Sequence, residues 1–439
     1  MKINRFLQTV TSHIYSKEAK EYVKIELNHH LQMSKQSWVK RGYSDVEAEE
    51  KAVQEMGSPI SLGKSLNKLH KPRVDWLLIS LFSLLLLLSF LPIFALNHKQ
   101  FLDSINFSLS TMIINKVIFI IIGALIAIGM MFVDYRKLKR WGYLFYSAGV
   151  GLIMILQYFP NQIQNGEPMI AIGGFEIQIW MAIPFLLIAW ASLFSNLSFK
   201  LWQGIILFVL SIYLFLHFPN LPILFTYIVL VGILFLQSKF TRKEKLIIVG
   251  TSIMLVVGVI GYTVFAYSKG LIAQYQLIRI LAFISPEEYS DSSGYLYLTL
   301  ETVLNNAGMF GTKNFSFIEE AHTNLVLSNL IQNYGFVMGI AIVVILVTFL
   351  ARIWVIARAI KDPFGKLLII GGITVFATQF LYSVGMTFRL LPLTSMPLPF
   401  MSYGLMPTVL SAFIVGIALS VYRRKHFIQF EKDKKTRII

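Results

Sequence analysis

Residues able to do chemistry gather in three stretches of this sequence. In the run IEEAHTN, residues 318–324, Glu319, Glu320, His322 and Thr323 lie beside Asn324. Directly after it come Ser328, Asn329, Gln332 and Asn333, whose spacing puts them on one face of a helix. Polar side chains at membrane depth are costly unless they face protein or a wet cavity. Two readings of that face stand: a polar wall of a substrate groove beginning at His322, and interhelical hydrogen bonding of the kind Asn, Gln and Ser provide. The second stretch, SVGMTFRLLPLTSMPLPFMSYG at 383–404, places Pro392, Pro397 and Pro399 between two apolar runs. Irregular backbone at that depth is tolerated only against protein or a cavity. A proline-stiffened loop beside Arg389, closed by Ser402, Tyr403 and Gly404, suits a site for a lipid phosphate. A stiff connector fits the same residues. The third stretch is the connection 268–324, with Glu287, Glu288, Asp291, Glu301 and the Glu319–Glu320 pair. Around 272–283 it carries an amphipathic pattern with Arg279, of a type that lies in the headgroup plane.

The elements that must position these groups follow from composition. The chain has 439 residues, 56% hydrophobic and 14% charged, with a net charge of +16 and no cysteine. Mean hydropathy is +0.65. A soluble domain is roughly a quarter charged, so the solvent of most of this chain is lipid. The absence of cysteine excludes a disulfide scaffold, a thiol enzyme and a zinc–thiolate site. Apolar runs at 76–96, 112–133, 142–159, 180–194, 201–216, 223–236, 246–267, 325–350, 367–388 and 405–422 predict ten membrane spans. With both termini cytosolic, Arg136, Lys137, Lys139, Arg140, Arg242, Lys243, Lys245, Arg352, Arg358, Lys361 and Lys366 fall on inner loops. Lys99, Lys269, Arg279, Lys313 and Arg389 are the outer cations. That bias is the positive-inside signature. The positive charge therefore marks the cytosolic side and anionic lipid, not a nucleic-acid footprint. The fold class is all-α, a polytopic membrane helix bundle, with the large outer loop at 268–324 and a basic cytosolic tail at 426–439.

Residues 1–73 are polar and read as a small cytosolic module of three helices. The first, 17–40, carries Tyr22, Ile25, Leu27, Leu31 and Trp38 as its apolar stripe. Ser44 followed by Glu47 is a capping box opening a second helix, closed by Gly57. Ser58-Pro59 opens the third. The run RGYSDVEAEEKAVQEMGSP at 41–59 resembles the helical prefix (HAAS-like) module fused to bacterial permeases and anti-sigma regulators. It implies docking to a cytosolic partner of unknown identity; a folded leader without a separate task fits equally.

LLPLTSMPLPFMSYG at 390–404, together with EEAHTN before the helix ending YGFVMG, resembles the shape, elongation, division and sporulation (SEDS) family. This is the FtsW, RodA and SpoVE group of bacterial membrane proteins. The span layout and the loop between spans seven and eight match it over about 76–425. The resemblance implies a plasma-membrane bundle that polymerises lipid-linked peptidoglycan precursor beside a class B penicillin-binding transpeptidase. An older proposal for the family is flipping of that precursor. The implied catalytic group is a carboxylate at the position of Asn324, after His322 and Thr323, acting on the acceptor hydroxyl. Basic groups such as Arg279, Lys313 and Arg389 would stabilise the departing pyrophosphate. Gln332, Asn333, Pro397, Pro399, Ser402 and Tyr403 fall on the implied substrate side. No cofactor or resident metal is implied, though a divalent cation fits an active enzyme.

The departures bear on activity. Asn324 replaces the family aspartate, and Gln332 and Asn333 stand where a glutamate pair is typical. Pro219-Asn220 stands where the family has proline–aspartate, and the proline–serine–glutamate motif is lost around 178–181. An amide does not accept a proton as a carboxylate does, so Glu319 or Glu320, one turn before Asn324, is the candidate substitute. Three readings remain: a polymerase with a rewired base, a pseudoenzyme that keeps the bundle and its partner contacts, and a lipid or solute transporter.

Overall fold

In lipid, backbone polar groups must be satisfied within the chain, and long apolar runs do this as helices. The computed structural model describes residues 2–69, 73–96, 108–164, 167–172, 175–218, 220–269, 278, 281–312 and 314–425. Arg279, Lys313, Pro219, the tail 426–439 and most of the amphipathic stretch 272–283 lie outside the described residues. The chain divides into two compact units, Met1–Asp75 with Tyr422–Ile439, and Trp76–Val421.

The first unit holds α1 (Lys2–Ser12), α2 (Lys17–Lys40), α3 (Asp45–Glu55) and α4 (Pro59–Leu69). Helix α1 adds a fourth helix ahead of the three read from the sequence. Its Ile3, Phe6, Leu7 and Val10 share one face by their i, i+3, i+4, i+7 spacing. They pack on Ala19, Val23, Leu27 and Leu31 of α2 and Ala52 of α3. On α2 the buried stripe thus runs through residues 23, 27 and 31; Ile25, about 200° round the helix from Val23, is 73% exposed. The capping box forms as expected, with the Ser44 amide donating to Glu47 Oε2 at 3.1 Å and the Glu47 amide to Ser44 Oγ at 3.4 Å.

Helices occupy all ten predicted span positions in the second unit. They are α5 (Trp76–Leu88), α6 (Leu109–Phe132), α7 (Gly142–Tyr158), α8 (Ala182–Ser195), α9 (Leu201–Leu216), α10 (Leu221–Leu236) and α11 (Arg242–Ser268). After α12 (Tyr295–Asn306), within the long connection, come α13 (Val326–Ala359), α14 (Pro363–Thr387) and α15 (Leu405–Arg423). Among the described residues, five helices are long and apolar enough to cross a membrane: Trp76–Phe94, Leu109–Phe132, Val326–Ala359, Pro363–Thr387 and Leu405–Arg423. Ile179–Ser195, Leu201–Leu216 and Leu221–Leu236 are apolar but shorter.

Helix α14 is apolar nearly all round and packs on α8, α10 and α13. Its glycines permit this closeness, as small residues do between membrane helices. A Cβ on Gly371 would stand 2.7 Å from Leu187 Cδ1, and one on Gly372 2.5 Å from Ile414 Cγ2. Helix α13 breaks at Gly335, where φ is 83° and ψ 174°. The turn at residues 308–311 fills the break, since the Phe336 and Val337 amides donate to the Gly308 and Met309 carbonyls. A Cβ on Gly335 would lie 2.2 Å from the Met309 carbonyl oxygen, so position and dihedral both require glycine.

Two features set up the functional end. The helical expectation contains no sheet, yet β1 (Gln162–Gln164), β2 (Glu167–Ile172) and β3 (Phe175–Ile177) form an antiparallel meander between α7 and α8. Asn165-Gly166 and Gly173-Gly174 separate its strands in sequence, a strong hairpin signal. The second feature is the proline loop, which dives into the bundle. Met396, Leu398, Phe400 and Met401 are buried, and the Phe400 ring lies 4.9 Å from Phe349, 5.1 Å from Phe376 and 5.9 Å from Phe82. Phe400→Ala should cost about 3–5 kcal/mol of stability, the range for a large aromatic removed from a core. Thermal unfolding in detergent measures it.

Candidate functional site

The proline loop ends at Ser402 and Tyr403, and these two residues fasten it to the end of the long loop. Ser402 Oγ accepts from the Leu398 amide at 2.8 Å and donates to the Thr323 carbonyl. The Tyr403 amide donates to the His322 carbonyl at 2.8 Å. From beneath, Lys116 of α6 donates from Nζ to the Ser402 carbonyl at 3.3 Å, with its residue 0% exposed. Tyr403 faces the meander: burial raises its phenol pKa, Glu176 adds to that, and a hydrogen bond with Asn115 opposes both. His322 packs against Tyr403 with the rings tilted and their centroids 5.9 Å apart. Burial lowers the His322 pKa to about 4, so the imidazole is neutral at pH 7.

Asn324 and Asn220 each hold a carboxylate, Asn324 that of Glu320 in its own turn and Asn220 that of Glu167 in β2. Glu320 turns the backbone with φ 54°, and its carbonyl accepts from the Thr323, Asn324 and Leu325 amides. Its carboxylate accepts from Asn324 Nδ2 at 2.5 Å. Asn220, 2% exposed, caps α10 by accepting from the Ile223 amide at 3.1 Å. Its Nδ2 donates to Glu167 Oε1 of β2 at 2.8 Å. Burial pushes Glu167 above the ordinary carboxylate range; the Asn220 bond acts against this, and the Glu320 charge adds to it. Two carboxylates thus lie within electrostatic reach of each other, each held by an amide.

The structure brings Glu320, His322, Thr323, Asn324, Ser402 and Tyr403 together, with Pro397 and Pro399 buried in the loop behind them. It takes other candidates elsewhere. Arg389 pairs with Glu301 of α12, joining the connection after α14 to the long connection before α13. Ser328 Oγ donates to Thr387 Oγ1 of α14 at 3.4 Å, and Asn329 Nδ2 to the Pro92 carbonyl at 3.3 Å, so those two act as interhelical hydrogen-bond partners. Gln332 donates to the Ser316 carbonyl at 3.0 Å and Asn333 to Asn329 Oδ1 at 2.8 Å. With Asn329 they line a partly open cavity of about 60 Å³ whose other walls are residues 95–96, 315–318 and 321. The spacing arguments did not select Lys116 or Glu167. The signal for Lys116 was present, since a lone lysine inside a span marks function by default; nothing local marks Glu167. Among the described residues no three His, Cys, Asp or Glu side chains gather closely enough to hold a metal ion.

Residues 75–427 match the FtsW, RodA and SpoVE family, described as cell cycle protein. The chain belongs to this family. It is 25% identical over 325 residues to a probable peptidoglycan glycosyltransferase FtsW of Trichlorobacter lovleyi, covering 70% of this chain and 82% of the relative. It is 25% identical over 340 residues to stage V sporulation protein E of Bacillus subtilis, covering 71% and 87%. Among solved structures, a chain of a peptidoglycan synthase complex that coordinates polymerization and crosslinking superposes with a TM-score of 0.66 at 20% identity. That match covers 80% of this chain and 98% of the other. RodA of Thermus thermophilus gives 0.57 at 19% identity, covering 80% and 97%. The FtsW/RodA/SpoVE membership and the apolar helices make this a multi-pass bacterial membrane protein.

Two consequences can be measured. Ser402→Ala leaves the Leu398 amide and the Thr323 carbonyl without their side-chain partner, and should cost about 1–3 kcal/mol in detergent unfolding. His322, with a folded pKa of about 4 against 6.5 for the free group, binds its proton less readily folded than unfolded. Stability should therefore fall as pH drops from 6.5 towards 4. His322→Gln should flatten that part of the pH–melting curve.

Proposed function

We propose that this chain is a glycosyltransferase of peptidoglycan synthesis, extending glycan strands from lipid-linked precursor where His322, Thr323 and Asn324 meet Ser402 and Tyr403. The observation that carries this reading is Lys116, a lysine buried in an apolar helix whose Nζ donates to the Ser402 carbonyl of that junction. A charge in such a place is costly without a task. Glycosyl transfer from a lipid diphosphate needs a cation to take up charge on the departing diphosphate, and an ammonium has three donors, of which Ser402 takes one. The transfer also needs a group to take the hydroxyl proton, and Glu167 and Glu320 supply carboxylates to the same junction.

In this reading the bundle crosses the plasma membrane ten times with both termini cytosolic, and the junction faces outward. A class B transpeptidase crosslinks the product, consistent with the peptidoglycan synthase complex among the structural neighbours. The process served is division, elongation or sporulation, the range of the curated relatives. Residues 1–73 dock a cytosolic partner. A second reading, a bundle that binds precursor and transpeptidase without turnover, is favoured by one observation: Asn220 and Asn324 are amides.

Purified protein given lipid-linked precursor, alone and with candidate transpeptidases, should yield polymer. Lys116→Met should lower the rate by about 10² or more, as loss of an electrostatic stabiliser does. Precursor binding without polymer would favour the second reading, more so if Asn324→Asp then produced polymer. Movement of precursor across sealed vesicles without polymerisation would favour a transporter.

A further inference from the structure

At both positions where the resemblance leads one to expect an aspartate, Asn324 and Asn220, the amide nitrogen donates to a glutamate: Glu320 of the same turn and Glu167 of the meander. The negative charge has left neither neighbourhood; it has moved across a hydrogen bond. The two glutamates are not equivalent. Glu320 is exposed and is bound to Asn324 within its own turn. Glu167 is half-buried and reaches from the meander to the cap of α10. Glu176, the third carboxylate near the site, accepts from Gln178 two residues on, at 3.1 Å, and is held by its own strand.

We propose that Glu167 is the catalytic proton acceptor of this protein, taking the proton of the acceptor sugar hydroxyl, with Asn220 orienting its carboxylate. The proposal rests on the glycosyltransferase reading above. The hydroxyl oxygen attacks the anomeric carbon of the lipid-linked donor and forms the new glycosidic C–O bond. The anomeric carbon–phosphate oxygen bond breaks, and its electron pair leaves with the lipid diphosphate. The hydroxyl proton passes to Glu167 and is later released to water. A base working near neutral pH is most effective when its affinity for the proton is raised towards that pH, and burial with a neighbouring negative charge moves Glu167 in that direction. Glu167→Gln is a close test because the amide oxygen still accepts from Asn220 while the proton-accepting charge is gone.

The experiment compares wild type and Glu167→Gln in detergent with lipid-linked precursor, following polymer formation under single turnover, precursor binding and thermal unfolding. The expected result is a fall of about 10²–10⁴ in the rate of bond formation, the usual range for a lost general base, with binding and melting temperature unchanged. Glu167→Asp, which keeps the charge and withdraws it by one methylene, should fall between the two. Equal rates in wild type and Glu167→Gln would overturn the assignment and leave the glycosyltransferase reading standing. A rate loss that only tracks a fall in melting temperature would also overturn it, since Glu167 would then serve structure. No polymer from wild type, with or without a transpeptidase, would overturn the glycosyltransferase reading and the assignment with it.

Discussion

A segment without regular hydrogen bonding can lie inside a membrane protein only where neighbouring groups take up its amides and carbonyls. Residues 396–403 meet that condition through Ser402. Its hydroxyl takes the Leu398 amide of its own loop and gives its proton to the Thr323 carbonyl, and its carbonyl is met by the Lys116 ammonium. Next to it, the Tyr403 amide closes on the His322 carbonyl. Phe400 anchors the loop among Phe82, Phe349 and Phe376 of three helices. With that loop fixed, the end of the long connection is fixed too.

The same logic of shared backbone satisfaction recurs where α13 breaks. The amides of Phe336 and Val337 find the carbonyls of Gly308 and Met309, and the Thr312 amide returns a bond to the Gln332 carbonyl. The long loop is therefore tied to α13 on one side and, through Arg389 and Glu301, to the connection between α14 and α15 on the other. Positioning, not reactivity, is the task of most polar residues in these two loops. This explains why so many residues that look chemical in the sequence are engaged in holding backbone. Preorganised groups of this kind act on a developing charge without the cost of reorganising during reaction.

The electrostatics of the junction depart from what a bare residue comparison suggests. Replacing an aspartate by asparagine removes a charge at one position, but the new amide has two donors and attracts an acceptor. Asn220 and Asn324 have both found glutamates. The junction thus keeps a lysine and carboxylates, with the carboxylates drawn from a strand and a turn.

The helices were legible in the sequence because hydropathy over a span is a local property, and each apolar run carries it without reference to its neighbours. The capping box of α3 was legible for the same reason: spacing along one segment encodes it. Helix α1 and the β-meander were also written locally, in an amphipathic repeat and in Asn-Gly and Gly-Gly pairs, but among weak signals. Glu320, four residues before Asn324, was legible in the same way, but the partners of Asn220, Arg389 and Lys116 are of another kind. Asn220 and Glu167 are 53 residues apart, and Lys116 and Ser402 are 286 apart. No local pattern couples such positions, so only the packing of α6, the meander and the two loops decides that they meet. The sequence alone determined a polytopic bundle with amides where carboxylates were expected. The tertiary structure decided where the carboxylates are, because hydrogen bonds between distant segments exist only once the helices have closed around them.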